Sequence, residues 1–510
     1  MKRIFCLASL IFLSACNDNQ NVLDIVTSTV NDNVIENNMY QVKPIDAPDT
    51  FDSYSWRQTC GTPILREEDK HSLNFDFIAP ELNQDEKFCF EFSGDVDDKR
   101  YVTKTVLTVV APTLEVYIDH ASLPSLQQLL QVIQNKNEHS QNERFISWGR
   151  IPLTEAHAEK LNAHTYKLDG NHTSQKLVED VKNYIDSKNR VNLELYSNTA
   201  GAPNNLSPII RNLSTVNNVN ISLISLYDDG SAEYVGLYNW KDKPSKIEIL
   251  KNNLSIQKDY LNGVSSNKVE GIDSRYNWHK IYNTNYYFLR KDYLTVEPQL
   301  HDLREYLGES LKPMSWDVFS KLSTEDKNLF LNIVGFDQEK LQREYQQSEL
   351  PNFIFTGTTT WAGGETKEYY AQQQVNVVNN AINETSPHYL GTEYDLFFKG
   401  HPGGGVINEI ILSSFDNMIN IPAKISFEVL MMTGMLPDVV GGIASSLYFT
   451  IPSEKVSFIV FTSSDTITDR DDALKSPLVQ VMMKLGIVKE KGVLFWADLP
   501  DCSSGVCVSK

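Results

Sequence analysis

The sequence predicts an α/β protein of two Rossmann-like halves facing a cleft, preceded by a small all-β immunoglobulin-like sandwich. Three observations predict it. Between residues 51 and 109, apolar residues recur at about every second position in short runs separated by turn residues. From Leu114, buried-type strands alternate with helical stretches, and after a long, mainly helical region the same alternation restarts at Asn352. Period-two runs mark half-buried strands, and β/α alternation implies a parallel sheet with helices on both faces.

The N-terminus reads as an export signal. Met1-Lys2-Arg3 is basic, Ile4 to Leu13 is apolar but too short to span a bilayer, and Leu13-Ser14-Ala15-Cys16 places small residues before a cysteine. The expectation is a lipoprotein leader over 1–15 with lipid on Cys16. An ordinary secretory leader cut nearby is the alternative. Lipid on Cys16 puts the protein in the cell envelope, with the outer membrane favoured by Asn17. The polar stretch 16–40 is expected to be a flexible tether.

Residues 41–110 form the expected sandwich, with strands Phe51–Trp56, Leu73–Ile78, Phe88–Phe92 and Tyr101–Val109. Trp56 precedes Cys60 and Cys89 rather than lying between them, so the likeness to an immunoglobulin domain is architectural only. In an exported protein Cys60 and Cys89 make one plausible disulfide, and Cys502 and Cys507 a second.

The first half is expected over 111–350. Its strands read Leu114–Asp119, Val191–Tyr196 and Val219–Leu226, its helices Leu123–Gln134 and Ser174–Ser187, and 240–348 reads as mainly helical. The second half, 351–497, has expected strands Asn352–Thr356, Tyr394–Lys399, Met418–Ile421, Ser446–Phe449 and Ser457–Phe461. Helices are expected at Glu368–Ile382 and Phe427–Met432, and 498–510 is a tail.

Charge narrows the function. The 510 residues carry a net charge of −20, which disfavours nucleic acid and anionic lipid as partners. An anionic ligand would need a specific local site.

Four segments could build one. Tyr227-Asp228-Asp229-Gly230-Ser231 closes a strand, where a carboxylate is well placed as a general base; a plain Asp-Gly turn looks the same in sequence. Adjacent Asp228 and Asp229 lack the partner ligands that a metal motif needs. Lys399-Gly400-His401-Pro402-Gly403-Gly404 closes another strand and offers a proton donor, a cation and close backbone approach, or simply a glycine-rich turn with an exposed His. Gly441-Gly442-Ile443-Ala444-Ser445-Ser446 reads as a glycine-rich turn whose N–H and hydroxyl groups could cradle a phosphate. Glu428, opening a helix, could take ribose hydroxyls or be a solvated surface group. Trp361, on a polar turn, could stack on a sugar or belong to the core.

In this order, Tyr227–Ser231, Lys399–Pro402 and Ser445-Ser446 resemble the bacterial sialyltransferases of glycosyltransferase family 80. Phe353–Trp361 and Ile425–Gly434 look like the same family. The resemblance runs from about 111 to 497, and the sandwich is similar to the extra domain of some marine members. It implies a GT-B fold, CMP-sialic acid as donor, a galactose-terminated glycan such as lactose as acceptor, and no cofactor or metal. By position it makes Asp229 the base and His401 the acid. Lys399, Gly400 and Glu428 become the cytidine contacts, Ser445 and Ser446 the phosphate contacts, and Pro402 a further donor-binding residue. Asn171, Ser231, Arg150 and Trp361 match positions that hold the sialyl group or the galactose. Gly201 departs from the pattern, standing where related enzymes place a histidine near the acceptor. Ala232, three residues after the base, is small, which in the resembling enzymes goes with α2,6 transfer; the alternative is α2,3. A protonated His401 and an ionised Asp229 predict a bell-shaped pH dependence. A monomer is expected. A catalytically weak, glycan-binding surface lipoprotein is the competing reading from another class.

Overall fold

The alternating runs sort into three bodies in the computed structural model, which describes residues 24–151, 153–346, 348–359 and 366–509. The expected leader, Cys16 and Trp361 lie outside these residues.

The N-terminal body contains β1 (Asp24–Ile35), β2 (Met39–Val42), β3 (Ser53–Cys60), β4 (Phe75–Ile78), β5 (Glu86–Val96) and β6 (Lys99–Val110). Four strands form one sheet in the order β1-β6-β5-β3, and β2 pairs with β4. Alternate residues Phe88, Phe90, Phe92, Leu107 and Val109 share a buried core with Val42, Trp56, Phe75 and Phe77. Trp56 packs edge-on against Phe75 at 5.4 Å and donates from Nε1 to Ser72 O at 3.0 Å. Cys60 and Cys89 are bonded across β3 and β5.

One expectation fails here. Most of the tether segment is structured, because β1 runs parallel to β6 from Asp24↔Lys99 to Ile35↔Val110. An edge strand with little buried surface needs only ladder hydrogen bonds on one side, so its Asn, Asp, Ser and Thr residues hide it from a hydrophobicity reading.

The middle body holds β7 (Thr113–Asp119), β8 (Glu143–Trp148), β9 (Ala163–Thr165), β10 (Val191–Asn198), β11 (Val219–Tyr227), β12 (Thr284–Phe288) and β13 (Leu311–Pro313). They form a parallel sheet in the order β13-β12-β11-β10-β7-β8-β9. Helices α1 (Ser122–Glu138), α2 (Gln175–Asp186) and α3 (Ser231–Trp240) are among its crossovers. The region read as mainly helical therefore contains β12 and β13, which are too short to display a period.

The C-terminal body holds β14 (Asn352–Thr356), β15 (Asp395–Lys399), β16 (Ile419–Ile421), β17 (Val439–Ile443), β18 (Val456–Phe461) and β19 (Val493–Phe495), parallel in the order β16-β15-β14-β17-β18-β19. Its helices include α4 (Lys367–Ile382), α5 (Gly405–Ser413), α6 (Phe427–Met432) and α7 (Pro477–Lys484). The strand expected at Ser446–Phe449 is a 3₁₀ turn, and the strand lies earlier, at β17. Gly441 and Gly442 obscured it. They are strand residues because neighbours crowd them: a Cβ on Gly442 would sit 2.3 Å from Thr356 O, and one on Gly441 2.6 Å from the Phe458 ring.

One buried core runs through both halves, joining Leu226 and Leu237 to Ile354, Phe397 and Ile421. Tyr234 of α3 stacks on Phe449 at 5.0 Å, and Tyr345 donates to Met435 O at 2.7 Å. The tail is docked. Cys502 and Cys507 are bonded, and Asn376 and Asn380 of α4 each donate to Pro500 O at 2.9 Å.

Candidate active site

In each parallel sheet the chain reverses its direction of strand addition once, between β7 and β10 and between β14 and β17. Ligands of such sheets bind beyond the carboxyl ends of the strands at that switch point. The residues placed there are Asp119 and Asn198 in the middle body, with Asp228 and Asp229 one strand further on, and Thr356 and Ser445 in the C-terminal body.

The two adjacent aspartates do different jobs. Asp228 is fully buried and accepts from the Gly230 and Leu289 N–H groups and from the Tyr234 hydroxyl, the Leu289 bond being 3.0 Å. It holds the turn, and burial pushes its carboxyl up to about 8. Gly230 takes φ +74°, a conformation that suits glycine. Asp229 is thereby left half-buried. Burial pushes it up to about 6, the Glu233 charge adds to that, and Arg275 opposes it. Glu233, itself buried on α3, accepts from Arg275 Nη1 at 2.9 Å and from the Tyr276 hydroxyl.

The opposite wall comes from β15. Lys399 is buried, donates from Nζ to Ala423 O at 2.6 Å, and is pulled down to about 8 by desolvation, with the Glu428 charge opposing. Glu428 opens α6, accepts from the Ser426 hydroxyl and is raised by its burial. His401 is exposed; burial of part of its ring, then the charges of Lys399 and Arg150, lower its pKa. The loop wraps the Asn408 amide, which would lie 2.4 Å from a Cβ on Gly400 and 2.1 Å from one on Gly404. Ser445 and Ser446 follow β17, Ser445 makes no side-chain cap bond and Ser446 is exposed, whereas the glycines before them belong to the strand rather than to an anion nest.

The two walls meet. A Cβ on Gly230, beside the Asp229 carboxylate, would lie 3.7 Å from the Ser446 Cβ. Arg150 follows Gly149, whose N–H bonds to Asp119 O at 2.8 Å, and its charge acts on both His120 and His401. A carboxylate at a strand end of one half thus lies near hydroxyls that follow a strand of the other.

A family model described as Sialyltransferase PMO188 matches residues 114–490. The chain belongs to this sialyltransferase family. Its fold is similar to the crystal structure of the sialyltransferase from Photobacterium damsela, at 66% identity and TM-score 0.90 over 93% of this chain and 100% of that one. It is similar to the 2,6-sialyltransferase of Photobacterium sp. JT-ISH-224, solved with CMP and lactose, at 54% identity and TM-score 0.80 over 95% and 99%. The α/β-galactoside α-2,3-sialyltransferase of Photobacterium phosphoreum is 33% identical, TM-score 0.65, over 76% and 100%. No curated protein matches. The fold is thus GT-B with an additional N-terminal β body.

The remaining expected site residues of this sialyltransferase lie on exposed turns or helix starts. Asn171 tips the turn closed by Asp169 and His172 (N···O 2.9 and 3.0 Å), while Ser231 and Ala232 begin α3, Ala232 exposed. Pro402 is exposed beside His401. At Gly201 a Cβ would fall 2.8 Å from the Asn205 amide and 2.9 Å from that of Asn198, so the local packing is built around glycine.

Three neighbours of the Asp229 turn and the switch point were not legible in the sequence. Asp119, fully buried, accepts from Ala121 N (2.9 Å), Gln128 Nε2 (3.1 Å) and Asn198 Nδ2 (2.9 Å), and burial pushes it up to about 7. Its position at a strand end was the signal available. Glu233 and Arg275, 42 residues apart, carried none. Among the described residues no group of three or more His, Cys, Asp or Glu side chains is arranged to hold a metal.

Proposed function

We propose that the protein transfers sialic acid from CMP-sialic acid to the galactose of a β-galactoside, with inversion and in α2,6 linkage. The observation that carries this reading is the approach of the Asp229-Gly230 turn to the Ser445-Ser446 turn, close enough that a Cβ on Gly230 would lie 3.7 Å from the Ser446 Cβ. Asp229 takes the proton of the acceptor hydroxyl as that oxygen attacks the anomeric carbon. The bond to the phosphate breaks toward the other side, where His401, Ser445 and Ser446 donate to the phosphate oxygens. Lys399 and Glu428 hold the cytidine side, and Asn171, Ser231, Arg150 and Trp361 the sugars. The α2,6 choice is supported by Ala232, whose small side chain leaves room for a primary hydroxyl, and by the greater likeness to the 2,6-sialyltransferase than to the α-2,3 enzyme.

We assign no cofactor and no metal. The reading is tested by incubating the protein with CMP-sialic acid and lactose in the presence of a chelator, with NMR of the product. Sialyl-α2,6-lactose is expected; an α2,3 product overturns the linkage, and loss of transfer in chelator overturns metal independence. The leader sequence supports a lipid on Cys16 and a place in the cell envelope, the outer membrane before the inner. Radiolabelled palmitate should enter the wild type and not Cys16→Ser. We also propose that the enzyme acts as a monomer, which light scattering checks.

A further inference from the structure

We propose that Asp119 is a positioning residue for the transfer: it ties the carboxyl ends of β7, β8 and β10 into one platform, and so sets where Arg150 and the Asp229 turn stand. The proposal rests on the sialyl-transfer reading above. Asp119 has no exposed surface, and a carboxylate so placed is costly unless its lone pairs are used. Three donors use them, from the turn into α1, from the body of α1 and from the end of β10. Oδ1 accepts from Ala121 N and from Asn198 Nδ2, each at 2.9 Å, and Oδ2 accepts from Gln128 Nε2 at 3.1 Å. Every one of these bonds is accepted, which is the pattern of an ionised carboxylate.

Capping of α1 does not account for this arrangement, because a cap needs only the bond from Ala121 N. The second oxygen reaches β8 through α1: Gln128 gives its Nε2 to Asp119, and its Oε1 takes Trp148 Nε1 at 2.7 Å. The Asp119 backbone holds the same place, since Gly149 N donates to Asp119 O at 2.8 Å, one residue before Arg150. Asn198 carries the constraint onward. Its Oδ1 accepts from Gly201 N, and the next residue, Thr199, donates to Tyr227 O from its N at 2.7 Å and from its Oγ1 at 3.2 Å. That carbonyl lies immediately before Asp228-Asp229.

A buried hub of this kind acts through the turns above it and not on the substrate. Its effect is large because a misplacement of about 1 Å at a reacting group can cost roughly 10²-fold in rate. The C-terminal body fixes its own strand ends by other bonds, such as the one between the Thr356 and Tyr448 hydroxyls at 2.9 Å. Loss of the Asp119 hub should therefore fall on use of the acceptor and leave the donor side in place.

The test is a hydrogen-bond reversal. Asp119→Asn keeps an oxygen for Ala121 and Asn198 but turns an amide toward Gln128 Nε2, donor against donor. Adding Gln128→Glu reverses that bond: the new amide donates, the new carboxylate accepts, and Trp148 keeps its acceptor. Asp119→Asn should lower kcat/KM for lactose by roughly 10²-fold, with the KM for CMP-sialic acid and the circular-dichroism spectrum as in wild type, and the double variant should recover most of the loss. Wild-type kcat/KM in Asp119→Asn, or a folded double variant as impaired as the single one, overturns the proposal. Should Asp119→Asn not fold, Asn198→Ala cuts only the link to β10; the same acceptor-selective loss is expected, and wild-type kinetics there overturn the proposal. Amide hydrogen exchange read by mass spectrometry separates the positioning role from the function. Faster exchange than in wild type is expected at 198–201 and 228–230, with the C-terminal body unchanged. If wild type transfers no sialic acid at all, the proposed function fails, whereas unchanged exchange in both turns overturns the positioning role by itself.

Discussion

Asp228 and Asp229 are identical side chains adjacent in sequence, and hydrogen bonding and burial separate them. Asp228 spends its lone pairs on two N–H groups and the Tyr234 hydroxyl, so only Asp229 is left to meet a substrate. Asp229→Asn should therefore lower kcat by about 10²–10⁴-fold, the range for removing a general base, with little change in the KM for lactose. Asp228→Asn should instead disturb the turn and lower thermal stability. The basicity of Asp229 is set partly by Glu233. Asp229 acts when ionised, so activity should rise with pH through about 6. Glu233→Gln removes a negative neighbour and leaves the Arg275 cation unopposed, which favours the carboxylate. The rise should then move to lower pH, read from kcat/KM between pH 4.5 and 8 alongside a circular-dichroism spectrum that stays native.

At the scale of elements, β17 shows how a strand can be hidden by its own function in packing. Gly441 and Gly442 look like turn residues, yet the Phe458 ring and the Thr356 backbone leave no space for side chains there. Gly442→Ala combines a backbone clash with φ +147°, and a cost of about 3 kcal/mol follows from overpacking and backbone strain. A lower melting temperature together with weaker CMP binding should result, because β17 delivers Ser445 and Ser446. Unchanged melting and CMP affinity would show that the strand can shift. β1 is the converse case. Its polar sequence resembles a linker, and only the ladder to β6 makes it a strand. The strands that were legible, such as β7, β11 and β14, are those whose side chains are buried, since burial writes apolar residues into the sequence.

Across the whole molecule, the N-terminal body is fastened to the middle one through Arg190. Its guanidinium pairs with the buried Glu36 at 2.5 Å and with Asp85 at 2.7 Å, and Asn189 donates to Leu82 O at 2.7 Å. Arg190→Ala leaves Glu36 buried without its partner, a change worth about 3 kcal/mol in comparable buried pairs. Limited proteolysis should cut between the bodies faster in this variant. Turnover with lactose should stay at the wild-type level, because the site lies at the far ends of the strands; a matching loss of kcat would instead mean that the N-terminal body supports the cleft.

The sequence by itself determined the N-terminal β body, the two parallel-sheet halves and the family, because each is written in local runs: buried strands, turns at strand ends, motifs of five or six residues. Tertiary structure alone decided which of two neighbouring aspartates is free, that Glu233 and Arg275 act on it, that Gly441 and Gly442 are strand and not turn, and that the Asp229 turn approaches Ser446. Each of these depends on groups brought together from distant parts of the chain, and on burial, which sets the cost of charge and has no signature in any short stretch of residues.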